Sequence, residues 1–155
     1  MLALVVLVIV PFVWFGMIFA ISFIETPLKF KAPGMTHALG VGIGRLVFKV
    51  LNLVEALLAV AMVGAWTQRQ DLVTLPIGII LALPLIALAL QALVLRPAMS
   101  ARTKALSDTA LTHSGGTAVK AKVATITHIT YIASELLKAI ALPLAGVLLL
   151  LAVAA

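Results

Sequence analysis

Two short stretches of this chain carry polar side chains at helical spacing inside segments that are otherwise apolar. In RLVFKVLNLVE the polar positions are Arg45, Lys49, Asn52 and Glu55. At 100° per residue they fall within roughly a third of a helix circumference. In HITYIASELLK, His128, Tyr131, Glu135 and Lys138 repeat at a similar three-and-four spacing. Polar side chains in a bilayer are costly and seldom face lipid. The two stripes are therefore expected to face each other inside a bundle.

The apolar runs around them predict four spanning helices, at about 2–24, 40–66, 72–95 and 124–154. The first contains no charged residue up to Ile24 and is long enough to cross a hydrocarbon core ~30 Å thick. No Lys or Arg precedes it and no small-residue cleavage site follows, so it reads as a retained helix rather than a signal peptide. ETPLKFKAPGMTHAL, with Pro27, Pro33 and Gly34, reads as the first loop. TQRQD at 67–71 is a short polar turn. Pro11, Pro84 and Pro143 fall inside apolar runs, where neighbouring helices make a bend tolerable. Between the third and fourth helices, Met99 to Leu111 reads as a short amphipathic segment on the membrane surface, ended by Ser114-Gly115-Gly116.

Composition narrows the class. The 155 residues are 64% hydrophobic and 10% charged, with a mean hydropathy of +1.27. A soluble domain of this size keeps too much surface exposed to hide such a chain. The fold expected is all-α: one polytopic membrane domain over residues 1–155, a bundle of four transmembrane helices with the bilayer as partner. The net charge of +6 belongs to helix ends and anionic head groups rather than to nucleic acid. Lys29, Lys31, Arg96, Arg102, Lys104, Lys120 and Lys122 lie in the first and third connections, against Arg69 alone in the second. That asymmetry predicts loops one and three cytoplasmic and both termini outside; the expected location is a bacterial inner membrane.

Charge neutrality sharpens the site. Glu25, Arg45, Lys49, Glu55, Glu135 and Lys138 sum to zero, and an unpaired charge at mid-membrane would cost several kcal/mol. Counting along parallel second and fourth helices places Lys138 near Glu55, and Glu135 near Lys49 or Arg45. Glu25 and Gln91, near the ends of the first and third helices, are candidates to support them. The expected site is a polar interior, tapering outward, that binds a small polar or anionic solute or relays protons. Glu55 and Glu135 are its candidate titrating groups, and Arg45 and Lys49 its candidate anion contacts. The competing expectation is that the pairs only fix helix register. The chain has no cysteine, so thiolate metal sites and disulfides are excluded. His37 and His113 lie in predicted loops and only His128 on a spanning helix. No cofactor or metal is expected.

Several motifs carry a resemblance. Trp14-Phe15-Gly16 in WFGMIF, Pro27 and Phe30 in TPLKF, and ALGVGIGRLVF ending at Phe48 resemble a bacterial domain-of-unknown-function family related to the eukaryotic transmembrane protein two-hundred-and-five. THITY is similar to that family's opening of the last helix, with His128 matching and Tyr131 in place of a serine. The resemblance implies a four-helix membrane protein, with export of toxic compounds suggested for eukaryotic relatives. A second resemblance joins Arg45, Asn52 and Glu55 to the Arg…Asn-x-x-Glu motif of the membrane-associated eicosanoid and glutathione metabolism family. It implies a trimeric enzyme binding glutathione between subunits. The tyrosine motif of that family's third helix has no counterpart in Leu72 to Leu95. Three function classes follow: solute or proton transport without catalysis, a glutathione-using membrane enzyme, and an accessory subunit of a membrane complex. A homo-oligomer is compatible with each.

Overall fold

A computed structural model describes residues 1–95, 97 and 117–154, with the backbone alone at 37–38 and 117–128. The predicted amphipathic segment at 99–111 and His113 lie outside the described residues, as do the side chains of His37 and His128. Helix α1 (Leu2–Ile18) passes directly into a π-helical segment, Phe19–Glu25, and then into the single turn α2 (Thr26–Lys29). Helix α3 covers His37–Gln68. Helix α4 (Leu75–Leu90) also ends in a π-helical segment, Gln91–Leu95, and α5 covers Thr117–Ala154. The fold is all-α, with no strand among the described residues.

Four of these runs are long and apolar enough to cross a membrane: Leu2–Lys29, Leu39–Gln68, Leu75–Leu95 and Ile129–Ala154. Their outward faces carry Leu46, Val50, Leu53, Leu57 and Val60, each more than half exposed. In water a face of that kind would drive aggregation, whereas lipid is an adequate solvent for it. The four-helix membrane class expected from hydropathy is what the fold presents.

The first span differs from expectation at its end. Thr26 to Lys29 continue the helix instead of opening a loop. Pro27 sits at the start of α2, where a missing N–H costs least. The Thr26 hydroxyl donates to the carbonyl of Ile21 at 2.9 Å. The chain turns only afterwards, through Gly34, whose φ of 76° lies in the left-handed region that glycine adopts without steric cost. Thr36 then caps α3, accepting from the Leu39 N–H at 3.2 Å. Pro11, Pro84 and Pro143 lie within continuous helices.

Successive spans run antiparallel. The fourth packs along both the first and the third, and the first packs along the second. The second and third touch sparsely. Near the turn that joins them, the Trp66 ring lies against Gly78, so close that a Cβ there would sit 3.1 Å away. The second and fourth spans are thus diagonal in the bundle, and only long side chains bridge them. At the other end of the bundle, Gly40 and Gly44 admit the Phe30 ring and the Lys29 ammonium against the α3 backbone. Close packing is therefore the role of these two small residues.

The interior divides into two levels. Toward the Arg69 end, Leu7, Val10, Met62, Ala65, Leu81, Leu142, Ala145 and Leu149 form a continuous buried apolar core. Toward the Lys29 end, the buried residues include Asn52, Glu55, Gln91, Ser134, Glu135 and Lys138. In the short turn at the Arg69 end, Arg69 grips Asp71 with two nitrogens, Nε to Oδ1 at 3.0 Å and an Nη to Oδ2 at 2.8 Å. These hydrogen bonds hold the exposed Asp71 carboxyl below its usual range.

Candidate functional site

The buried polar level is a hydrogen-bonded cluster to which every span contributes. Lys138, on α5, is at its centre and fully buried. Its ammonium lies 2.5 Å from Glu55 Oε1, 2.8 Å from Gln91 Oε1 and 2.9 Å from Glu135 Oε1. An ammonium has three N–H donors, and these three oxygens match them one for one.

The acceptors are held in turn. Trp14 donates its indole N–H to Glu55 Oε1 at 2.8 Å. Gln91 donates from Nε2 to Glu135 Oε1 at 2.7 Å and to Ser134 Oγ at 2.6 Å. The Ser134 hydroxyl donates to the Tyr131 carbonyl at 2.7 Å, and the Ser22 hydroxyl to Glu135 Oε2 at 3.0 Å. The orientation of the Gln91 amide follows from its partners, since its oxygen must face the ammonium and its nitrogen the carboxylate.

Local structure explains how these side chains arrive. Glu135 and Lys138 are three residues apart on one helix, so they share a face. Ser22 lies in one π segment and Gln91 opens the other. Both wide turns of backbone thus sit beside this cluster, and each supplies it with a polar side chain. π-Helical turns inside α-helices often occur at functional sites.

Depth follows from the helical rise. Glu55 is about 24 Å along the helix from Leu39 and about 20 Å from Gln68, and Trp14 about 18 Å from Leu2. The cluster therefore reaches the middle of the bilayer. On its Lys29 side, Tyr131 donates to Asn52 Oδ1 at 3.5 Å. The Phe48 ring meets the Tyr131 ring edge-on at 5.6 Å. The Lys29 ammonium lies 5.9 Å from the Phe48 centroid and pairs with Glu25 at 3.2 Å. Polar groups thus reach from the end of the first span to mid-membrane, and apolar packing closes the other half.

The stripe on α3 is split. Asn52 and Glu55 turn inward, whereas Arg45 and Lys49 are exposed on the outer face. The expected pairing of Glu135 with Arg45 or Lys49 does not occur; Lys138, Gln91 and Ser22 are its partners instead. Arg45 and Glu55 do not converge on one point within a chain, being on different faces and about 15 Å apart along the helix. Glu25 pairs with Lys29, outside the cluster. Gln91 lies inside it, while the His128 side chain is among those not described.

Losing Arg45 and Lys49 from the interior changes the charge balance. Among the described residues, the buried ionisable groups are two carboxylates, Glu55 and Glu135, and one ammonium, Lys138. Fully ionised, the cluster carries one negative charge. It becomes neutral when one proton is added.

Trp14, Ser22 and Ser134 are members that the polar stripes do not reveal. Trp14 reads from sequence as packing or an interfacial anchor. Its position offers a signal: it falls near the middle of the first span rather than at a membrane surface, where tryptophans gather. A mid-membrane indole N–H needs an acceptor. The serines offer no comparable signal. Comparison of the chain with known protein families, curated proteins and solved structures finds no match.

Proposed function

We propose that this multi-pass membrane protein moves protons, with the four-helix cluster as its internal protonation site. The observation that carries this reading is the sharing of one buried ammonium by two buried carboxylates. A proton adds to a carboxylate oxygen of Glu135, which is nearer the Lys29 end. Lys138 then balances Glu55 alone. Passing the proton to Glu55 reverses the assignment, and Lys138 needs little displacement because both carboxylates already contact it. Intramembrane ionisable groups mark proton relays and ion paths in many membrane proteins. The polar groups between the cluster and Lys29 support uptake from that end.

A small polar or anionic solute is the natural cargo for coupling to such a proton. Export of this kind is what the resemblance to relatives of transmembrane protein two-hundred-and-five implies. The excess of basic residues in the first and third connections supports a cytoplasmic Lys29 end. Sidedness has a direct test, because the chain has no native cysteine to remove. Lys31→Cys and Gln70→Cys are expected to react with an impermeant maleimide from opposite sides of a sealed vesicle. Labelling of both from one side would overturn the assignment.

The central test is proton flux. Vesicles holding the protein and a pH-sensitive dye should collapse an imposed pH gradient. Glu55→Gln and Glu135→Gln keep the side-chain shape and one acceptor oxygen, and each leaves Lys138 a single carboxylate to balance, but neither can carry the proton. Each is expected to insert and melt like the parent while its flux falls to that of empty vesicles. Wild-type flux in both variants would leave the cluster as a register device and end the proposal.

A further inference from the structure

The outer face of α3 carries a feature that the proton site does not use. Arg45 and Lys49 are one turn apart and both exposed. The described acids lie elsewhere: Glu25 with Lys29, Glu55 and Glu135 with Lys138, and Asp71 with Arg69. Neither cation therefore meets a carboxylate among the described residues.

Their depth makes this costly. The span Leu39–Gln68 is about 45 Å long against a core of ~30 Å, so it overshoots by about 7 Å at each end. Arg45 then lies at the edge of the hydrocarbon and Lys49 about 8 Å inside it. Both side chains face lipid, where a cation must snorkel back to an anionic oxygen.

Next to them is an apolar groove between α1 and α3, about 360 Å³ in volume, lined by Met17, Ile21, Leu46, Val47, Val50 and Val54 among others. Leu46 and Val50 lie about 60° and 100° around the helix from Lys49. From Leu46 the groove extends toward mid-membrane, ending near Val54. Charge that snorkels out to the head-group level beside an apolar slot running inward is complementary to an amphiphile with an anionic head.

We infer that this face binds an anionic phospholipid, with its phosphate between Arg45 and Lys49 and one acyl chain in the groove. A second copy of this chain is a poor occupant. Among the described residues Asp71 lies at the opposite end of the bundle and the partly exposed Glu25 is already paired with Lys29, so a like face would bring cations against cations.

The test uses the full chain in vesicles of equal parts phosphatidylglycerol and phosphatidylcholine, with co-purifying lipid counted by native mass spectrometry after gentle extraction. The parent is expected to retain phosphatidylglycerol in preference. The preference should fall on the order of fivefold for each basic side chain removed in Arg45→Gln and Lys49→Gln. Arg69→Gln, at the other end, should leave it unchanged. Val50→Trp fills the groove from an exposed position and should lower retention of both lipids without altering insertion. Inorganic phosphate should not displace the retained lipid. The inference is overturned by equal retention of the two lipids, by an unchanged preference in the Arg45→Gln/Lys49→Gln double variant, or by displacement with phosphate alone. If the double variant fails to insert, the single variants Arg45→Gln and Lys49→Gln decide the head-group preference, and unchanged lipid retention in Val50→Trp overturns the groove as the acyl-chain site.

Discussion

Lys138→Met is expected to destabilise the bundle by about 3–5 kcal/mol, the usual cost of removing one partner from a buried ion pair. The thioether fills most of the space but leaves Glu55 and Glu135 without a cation and the Gln91 oxygen without its ammonium donor. Two carboxylates facing each other at mid-membrane then have no counter-charge among the described residues. Unfolding in lipid-detergent mixtures should show the loss as a lower midpoint. Two controls separate charge from packing. Acidification neutralises the carboxyls, so the gap between variant and parent should narrow as the pH falls. The triple variant Lys138→Met/Glu55→Gln/Glu135→Gln removes every buried charge and should recover most of the stability, because replacing a whole buried ion cluster is often nearly neutral. If Lys138→Met were as stable as the parent at neutral pH, the cluster would not be the electrostatic centre of the fold.

Trp14→Ala should be nearly as damaging, at about 3 kcal/mol. Trp14 is fully buried and packs within the apolar core while its indole donates to Glu55. Large-to-small changes at such sites cost about 3–5 kcal/mol in water-soluble cores. In a bilayer the water-transfer part is largely missing, because lipid is as apolar as the protein interior. Cavity and lost dispersion remain, hence the lower end of the range. Trp14→Phe keeps the ring and loses only the N–H, and hydrogen bonds between membrane helices average about 0.6 kcal/mol, with a maximum near 1.7. Denaturation of the two variants should therefore separate clearly. Equal losses would mean that the hydrogen bond, not the packing, is what Trp14 contributes.

The fold class was legible because hydropathy alone decides it: each span is a run long enough for the bilayer, with few charges. The pairing of Glu55 with Lys138 was also within reach, since both second and fourth helices start from one side and depth can be counted. The fate of Arg45 and Lys49 was not. In a soluble helix the apolar stripe marks the inside. Here Leu51, which is buried, and Leu46, which faces lipid, are the same residue type. Hydrophobic pattern therefore cannot say which part of a polar arc turns inward. Around the helix the boundary falls within the arc, between Arg45 and Asn52, which are only about 20° apart. Thr26 to Lys29 were misplaced for a related reason. Proline and a charge ordinarily end a helix, but the π segment before them shifts the register so that Pro27 begins a new turn.

The diagonal placement of Lys138 opposite Glu55 has a consequence for how the protein is made. The chain emerges from the ribosome in order, and the first three spans bring Trp14, Glu55 and Gln91 into the membrane with no cation paired with Glu55 among the described residues, Lys29 being held by Glu25. That counter-ion arrives only with the last span. Until then Glu55 remains an unmatched acid in a half-built bundle, so a nascent chain arrested before its final span is an obvious substrate for membrane quality control.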